Sequence, residues 1–278
     1  MNKQEKIEYA RFLIEEVTSK FLLKDTPYII TEGFEYIREV LTLFAKQSNL
    51  FESTLVLLEN NHAEEAYILL RSMLNNSMLI KYLYNDNEKK ERYKNYMIQP
   101  VKSQLSFFYD VKKIINKGWS NGDFPELNKK IKEHENILRK EGFTYKDKRT
   151  NKSKVDTKLL SIAGLASSDQ LLFSHYMMFY KEASKYEHSD FSALDIYRRQ
   201  IEDFPNTVAF IMDLARTDEE LDEKVLHVSI TIYSLTFIEL LRHINDNHEH
   251  LIREENKQYL ADLAVIIKNN DFPLHIQK

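Results

Sequence analysis

Tyr180, Ser184 and His188 stand four residues apart in the run Tyr180-Lys-Glu-Ala-Ser184-Lys-Tyr-Glu-His188-Ser189. Residues at that spacing lie roughly one above another on an α-helix, so a phenol, a hydroxyl and an imidazole would share one face. An imidazole titrates near neutrality and suits proton transfer. The face therefore reads either as a small acid/base site or as a buried hydrogen-bonded seam. A second four-spaced stripe, Tyr67, Arg71 and Asn75, interrupts an otherwise apolar helix. A guanidinium leaves water only at a cost unless acceptors meet it, so Arg71 must reach the surface or find partners inside. Pairing the two stripes across a helix–helix interface, with Glu187 close by, makes Arg71, Tyr180, Ser184 and His188 one candidate catalytic group.

Arg242 and His248 form a second candidate in Arg242-His243-Ile-Asn-Asp-Asn-His248. Cleaving RNA without a metal needs a group to take the 2′-hydroxyl proton and a cation to offset charge on the phosphorane. His and Arg at one helix end, duplicated across a dimer, could supply both. The same residues also suit plain helix-end capping, where cations offset the dipole. Between Arg139 and Lys158 eight basic residues face three acidic ones, a local balance of +5 in a chain whose formal charge is −4. Lys146, Lys148, Arg149, Lys152 and Lys154 are its candidate nucleic-acid contacts; the alternative is a solvated, mobile loop.

Other chemistries are excluded or disfavoured. With no cysteine, thiolate metal sites, disulfides and thiol nucleophiles are absent. Five dispersed glycines cannot build a phosphate-cradling loop. No HExxH or EF-hand pattern occurs, and the histidines of His248-Glu249-His250 diverge on a helix. No metal and no cofactor are expected. The 16 Tyr and 16 Phe recur at helical spacing, as core residues do.

The elements that position these groups follow from composition. Gly and Pro number five each, too few for the many turns of a sheet-rich fold. The fold class is all-α: an antiparallel multi-helix bundle forming a single domain over 1–278, with a polar loop excursion near 116–156. Helices are expected over about 3–24, 31–60 (one helix or two), 63–84, 88–115, 125–141, 156–163, 168–188, 192–197, 205–215, 217–247 and 254–268. Pro100 should kink or split the fourth of these. The amino-terminal segment is amphipathic rather than signal-like. No apolar run approaches the ~20 residues that span a bilayer. A cytoplasmic protein without membrane contact is expected, with a homodimer as its assembly.

The run from Leu55 to Leu74, with Ala66-Tyr-Ile-Leu-Leu70-Arg71-Ser72 at its centre, together with Tyr180-x3-Ser184-x3-His188, resembles a bacterial domain-of-unknown-function family, number 5677. That family joins an Ala-x3-Leu-Leu-Arg-Ser helix to a downstream Tyr-x3-Ser-x3-His element, and the resemblance covers about 50–200. The family pattern carries Glu four residues after the Arg; Asn75 stands there in this chain. Its members look like neighbours of abortive-infection and phage-defence proteins. The Arg242–His248 spacing also resembles the signature of the HEPN superfamily of helical ribonucleases and toxins. Together these resemblances imply a prokaryotic defence or toxin-type effector, a metal-independent endoribonuclease with RNA or a defence-system protein as partner. The alternative is a non-enzymatic helical regulatory or scaffold protein that binds a partner protein or small ligand.

Overall fold

The computed structural model describes residues 2–23, 27–86, 89–118, 125–167, 170–188, 194, 197–201, 209–212 and 219–269. It is all-α in architecture, with two short strand pairs, and the chain divides into two compact units: 1–84 with 166–278, and 85–165.

In the larger unit, α1 (Lys3–Glu16) opens on a capping box. Asn2 accepts from the Glu5 N–H at 2.9 Å, and Glu5 accepts from the Asn2 N–H at 2.9 Å. The helix runs on into a π-helical turn, Val17–Phe21. α2 (Tyr36–Glu59) is one continuous helix and α3 (Ala63–Tyr84) folds back on it. Asn61 turns the corner at φ +62°, a left-handed conformation that Asn tolerates well.

α10 (Glu219–Asn247) lies against both. Tyr233 stacks on Phe44 at 5.3 Å and tilts onto Phe51 at 4.9 Å, while Phe237 meets Phe21 edge-on at 5.6 Å. Burying each such ring contributes roughly 1.5–3 kcal/mol. Several polar groups inside this core are paired across helices. Ser48 shares a 2.9 Å hydrogen bond with the Tyr233 hydroxyl, and Ser77 shares one of 2.8 Å with Thr236. Gln47 donates to both Ser77 and Thr236. By length and composition α10 alone among the described helices could cross a membrane, and 61% of its apolar window is buried inside the protein. Its hydropathy is that of a central core helix.

α8 (Gln170–His175), a π-helical turn (Tyr176–Tyr180) and α9 (Lys181–Glu187) make up the expected 168–188 helix; Ser168 lies outside the described residues. The π turn closes on a Lys181 N–H to Tyr176 carbonyl bond. The helix expected over 205–215 is corrected: Ala209–Met212 is strand β4, paired antiparallel with β3 (Arg198–Ile201). A four-residue apolar run carries no period that separates strand from helix. The expected helical turn at 192–197 falls largely outside the described residues, as does the helix start expected at Thr217–Asp218. α11 is Glu254–Lys268.

In the second unit, α4 (Glu91–Met97) and α5 (Gln99–Asn116) are split next to Pro100, which sits in the first turn of α5 where its missing N–H costs no bond. α6 (Pro125–Lys140) packs on α5, closing a small core of Ile98, Leu105, Ile131, Leu138 and Val155. The basic segment holds an antiparallel hairpin, β1 (Thr144–Lys146) with β2 (Ser153–Val155). The helix expected over 156–163 is displaced to α7 (Ile162–Ala166), at the unit boundary.

Candidate functional site

α3 and α9 bring the two predicted stripes side by side. Tyr67 is fully buried, yet its hydroxyl donates to the Glu182 carboxylate at 2.7 Å. Lys224, from α10, donates to the same carboxylate oxygen at 2.5 Å and stands 5.8 Å from the Tyr67 ring centroid. Burial, then the neighbouring carboxylate, raises the phenol's pKa, so Tyr67 stays a neutral donor. For Glu182, partial burial pulls upward, but the bonds from Lys224 and Tyr67 outweigh it and the net shift is downward.

One turn along α3, the Arg71 guanidinium lies 4.7 Å from the Tyr180 ring centroid and is ion-paired with Glu187. The planar cation thus covers an aromatic face while meeting a carboxylate. Among the described residues its Nε is buried without an acceptor, and Asn75 Oδ1 is buried without a donor. Tyr180 is itself buried and stacks on Tyr176 at 5.2 Å.

The other two members of the predicted group behave differently. Ser184 turns its hydroxyl back to the Tyr180 carbonyl at 3.0 Å. His188 follows the last turn of α9 with its side chain 70% exposed, and its Nε2 stands 3.7 Å from Glu187 Oε2. Glu187 is therefore common to Arg71 and His188. Glu182 was missed in the sequence, although its four-residue spacing to Tyr186, whose ring lies 5.6 Å from that of Tyr67, marks a stripe parallel to the predicted one.

Arg242 and His248 are not joined by any hydrogen bond among the described residues. Arg242 is exposed on α10 and lines a cavity there. His248 is only 3% exposed. Its Nε2 lies 2.8 Å from the Tyr36 hydroxyl, and His243 Nε2 lies 3.1 Å from the same oxygen. A phenol has one hydrogen, so at least one imidazole donates to it. His243 stacks on Tyr84 at 4.9 Å, and Phe34 meets His248 edge-on at 4.9 Å. Burial, then the neighbouring His248, pushes the His243 pKa down to about 4; burial, then His250, lowers that of His248. Both rings are thus favoured in their neutral form. Tyr36 lies more than two hundred residues from these histidines, and no local signal marks it as their partner.

In the second unit Lys146, Lys148, Arg149, Lys152 and Lys154 are all exposed on the hairpin. Asp147 organises its loop, accepting from the Arg149 N–H at 2.8 Å and the Thr150 N–H at 2.9 Å and pairing with Lys154. The Lys154 bond, then these backbone bonds, hold the Asp147 carboxyl well below the usual range. Among the described residues no group of three or more His, Asp or Glu is placed to hold a metal ion.

No curated protein and no solved structure shows significant similarity to this chain. A family profile does, over residues 39–205, which contain α3, α9 and the seam between them. The chain belongs to that family, the family of unknown function DUF5677.

Proposed function

We propose that the exposed edge of the α3–α9 seam is an acid/base site for RNA phosphodiesters, making the chain a metal-independent endoribonuclease of the prokaryotic defence or toxin type. The observation that carries this reading is the sharing of Glu187 by Arg71 and the solvent-accessible His188. In this role His188 takes the 2′-hydroxyl proton or returns one to the leaving oxygen. Arg71, exchanging its carboxylate partner for a phosphate, offsets the developing charge. The exposed hairpin cations would add sequence-independent attraction for the backbone. A cytoplasmic homodimer acting on RNA or with a defence-system protein completes the proposal.

A second reading has its own support. Ser184 bonds its own helix, and Tyr67, Glu182 and Lys224 satisfy one another within the fold. A seam built this way can set helix register in a non-enzymatic regulatory or scaffold protein.

Incubating the purified chain with total RNA in EDTA separates the two. The enzyme reading expects cleavage that survives chelation and disappears in His188→Ala with the melting temperature unchanged. Intact RNA at all protein concentrations, or cleavage unaffected by the substitution, would leave the register reading standing.

A further inference from the structure

Tyr36 at the start of α2, His243 near the end of α10 and His248 just beyond it converge on one point, the Tyr36 hydroxyl. His248 Nε2 lies 2.8 Å from that oxygen and His243 Nε2 lies 3.1 Å from it. Nitrogen and oxygen donors sharing one zinc-class ion, at bond lengths of about 2.0–2.2 Å, stand about 2.9–3.5 Å from one another. Both spacings therefore need only small side-chain adjustment to admit an ion beside the phenol. The third donor is a phenol oxygen, so the set is not one of three His, Asp or Glu.

Three observations bear on what fits there. First, the backbone carrying the donors is fixed. The His248 N–H bonds the Ile244 carbonyl at 2.7 Å, and the His248 carbonyl accepts from the Leu251 N–H at 2.8 Å. Second, aromatic rings surround the imidazoles: Tyr84 stacks on His243 and Phe34 meets His248 edge-on, each at 4.9 Å. Such a shell limits water around a bound ion. Third, the Asn247 amide stands 3.5 Å from His243 Nδ1. Turned oxygen-first, it would accept the proton of that nitrogen and leave Nε2 for the ion. The donor types set the class of ion. Two imidazoles and a phenol oxygen suit zinc and its neighbours, whereas calcium and magnesium need shells of oxygen and copper(I) needs sulfur.

We propose that Tyr36, His243 and His248 bind one zinc-class divalent ion through the phenol oxygen and the two Nε2 atoms. As the metal–oxygen bond forms, the Tyr36 O–H proton leaves to solvent. Each imidazole gives the lone pair of Nε2 and keeps its proton on Nδ1, so no oxidation or reduction is involved. Water fills the fourth tetrahedral position. No step at His188 uses this ion, and the site stands apart from the proposed RNA chemistry.

Titration of the full chain with zinc chloride, after EDTA treatment and removal of the chelator, tests this by calorimetry and ultraviolet difference spectroscopy. Zinc should bind saturably at one site per chain, with a tyrosinate difference band growing in step, and magnesium should not bind. Tyr36→Phe keeps the ring between the imidazoles; it should abolish the band and weaken zinc at least about tenfold. His243→Gln should weaken zinc similarly while circular dichroism shows the fold intact. His188→Ala should leave zinc binding as in the parent. Absence of saturable binding, zinc affinity unchanged in Tyr36→Phe and His243→Gln, or loss of zinc in His188→Ala instead would overturn the assignment. The three side chains would then be a hydrogen-bonded join between α2 and α10.

Discussion

Tyr67 on α3 donates its hydroxyl to Glu182 on α9 at 2.7 Å, from a ring that has no solvent exposure. A buried phenol that reaches a half-exposed carboxylate gives the helix pair one allowed register. Sliding α9 by a residue would leave the hydroxyl unsatisfied in the core and carry Glu182 away from Lys224. The Arg71 contacts with Tyr180 and Glu187, one turn further on, repeat the constraint.

Tyr67→Phe keeps the ring and deletes only the donor. Hydrogen bonds to charged groups contribute about 1.5–3 kcal/mol. Lys224 remains on Glu182, so the lower end applies, a loss of about 1.5 kcal/mol in urea unfolding. A variant as stable as the parent would show that the bond does not hold the seam.

Arg71 and Glu187 should be unequal partners. The ion pair is partly solvated, with side chains 20% and 37% exposed, and pairs of this kind couple by roughly 0.2–1 kcal/mol. Arg71 also covers the Tyr180 ring, so Arg71→Ala should destabilise by about 1 kcal/mol more than Glu187→Ala. A double-mutant cycle measures the coupling, which should shrink in high salt. Equal single-variant losses would mean that the aromatic contact contributes nothing.

Much of this arrangement was legible in the sequence. The apolar period together with the Asn60-Asn61-His62 turn set α3 at Ala63–Tyr84, and the four-residue spacing placed Arg71 and Tyr180 on facing stripes. Other parts required the three-dimensional fold. Ala209–Met212 is too short to show a period, and only its pairing with Arg198–Ile201 makes it a strand. The Ser184 bond to its own helix was not legible, because back-bonding to the i−4 carbonyl leaves no trace in spacing. Tyr36, His243 and His248 meet only because α2 and the end of α10 pack together, and no pattern within either segment encodes that.

Acid should weaken the protein first through His243. Its pKa is about 4 in the fold, against an unfolded value near 6.5. Between these values the unfolded chain binds more protons, so stability falls as pH drops through that window and levels off below it. After allowance for solvent screening the loss is roughly 2 kcal/mol. The depressed carboxyls of Asp156 and Glu182 act in the same direction but at lower pH, losing their contribution only below the ordinary carboxylate range. Unfolding free energies measured from pH 7.5 to 4.5 should therefore slope upward with pH, and His243→Gln should flatten the slope. An unchanged slope in that variant would place the proton uptake elsewhere.

Lys102 provides the corresponding test in the second unit. It is 2% exposed; its Nζ donates to Asp156 at 2.8 Å and to the Lys158 carbonyl at 3.2 Å, and lies 4.7 Å from the Phe143 ring centroid. Those contacts attach the segment after the hairpin to α5. Breaking a buried pair is costly mainly when it strands a charge, but Asp156 is 36% exposed and also accepts from the Lys158 N–H at 3.0 Å, so water can solvate what remains. Lys102→Met keeps the packed stem under Phe143 and should lower stability by only about 1 kcal/mol. Lys102→Ala also opens a void and should cost about 3 kcal/mol. Hydrogen exchange at residues 144–155 reads the effect where it arises, and protection there should fall in Lys102→Ala and largely persist in Lys102→Met. Equal loss in both variants would mean that the ammonium, rather than the buried stem, holds the hairpin in place.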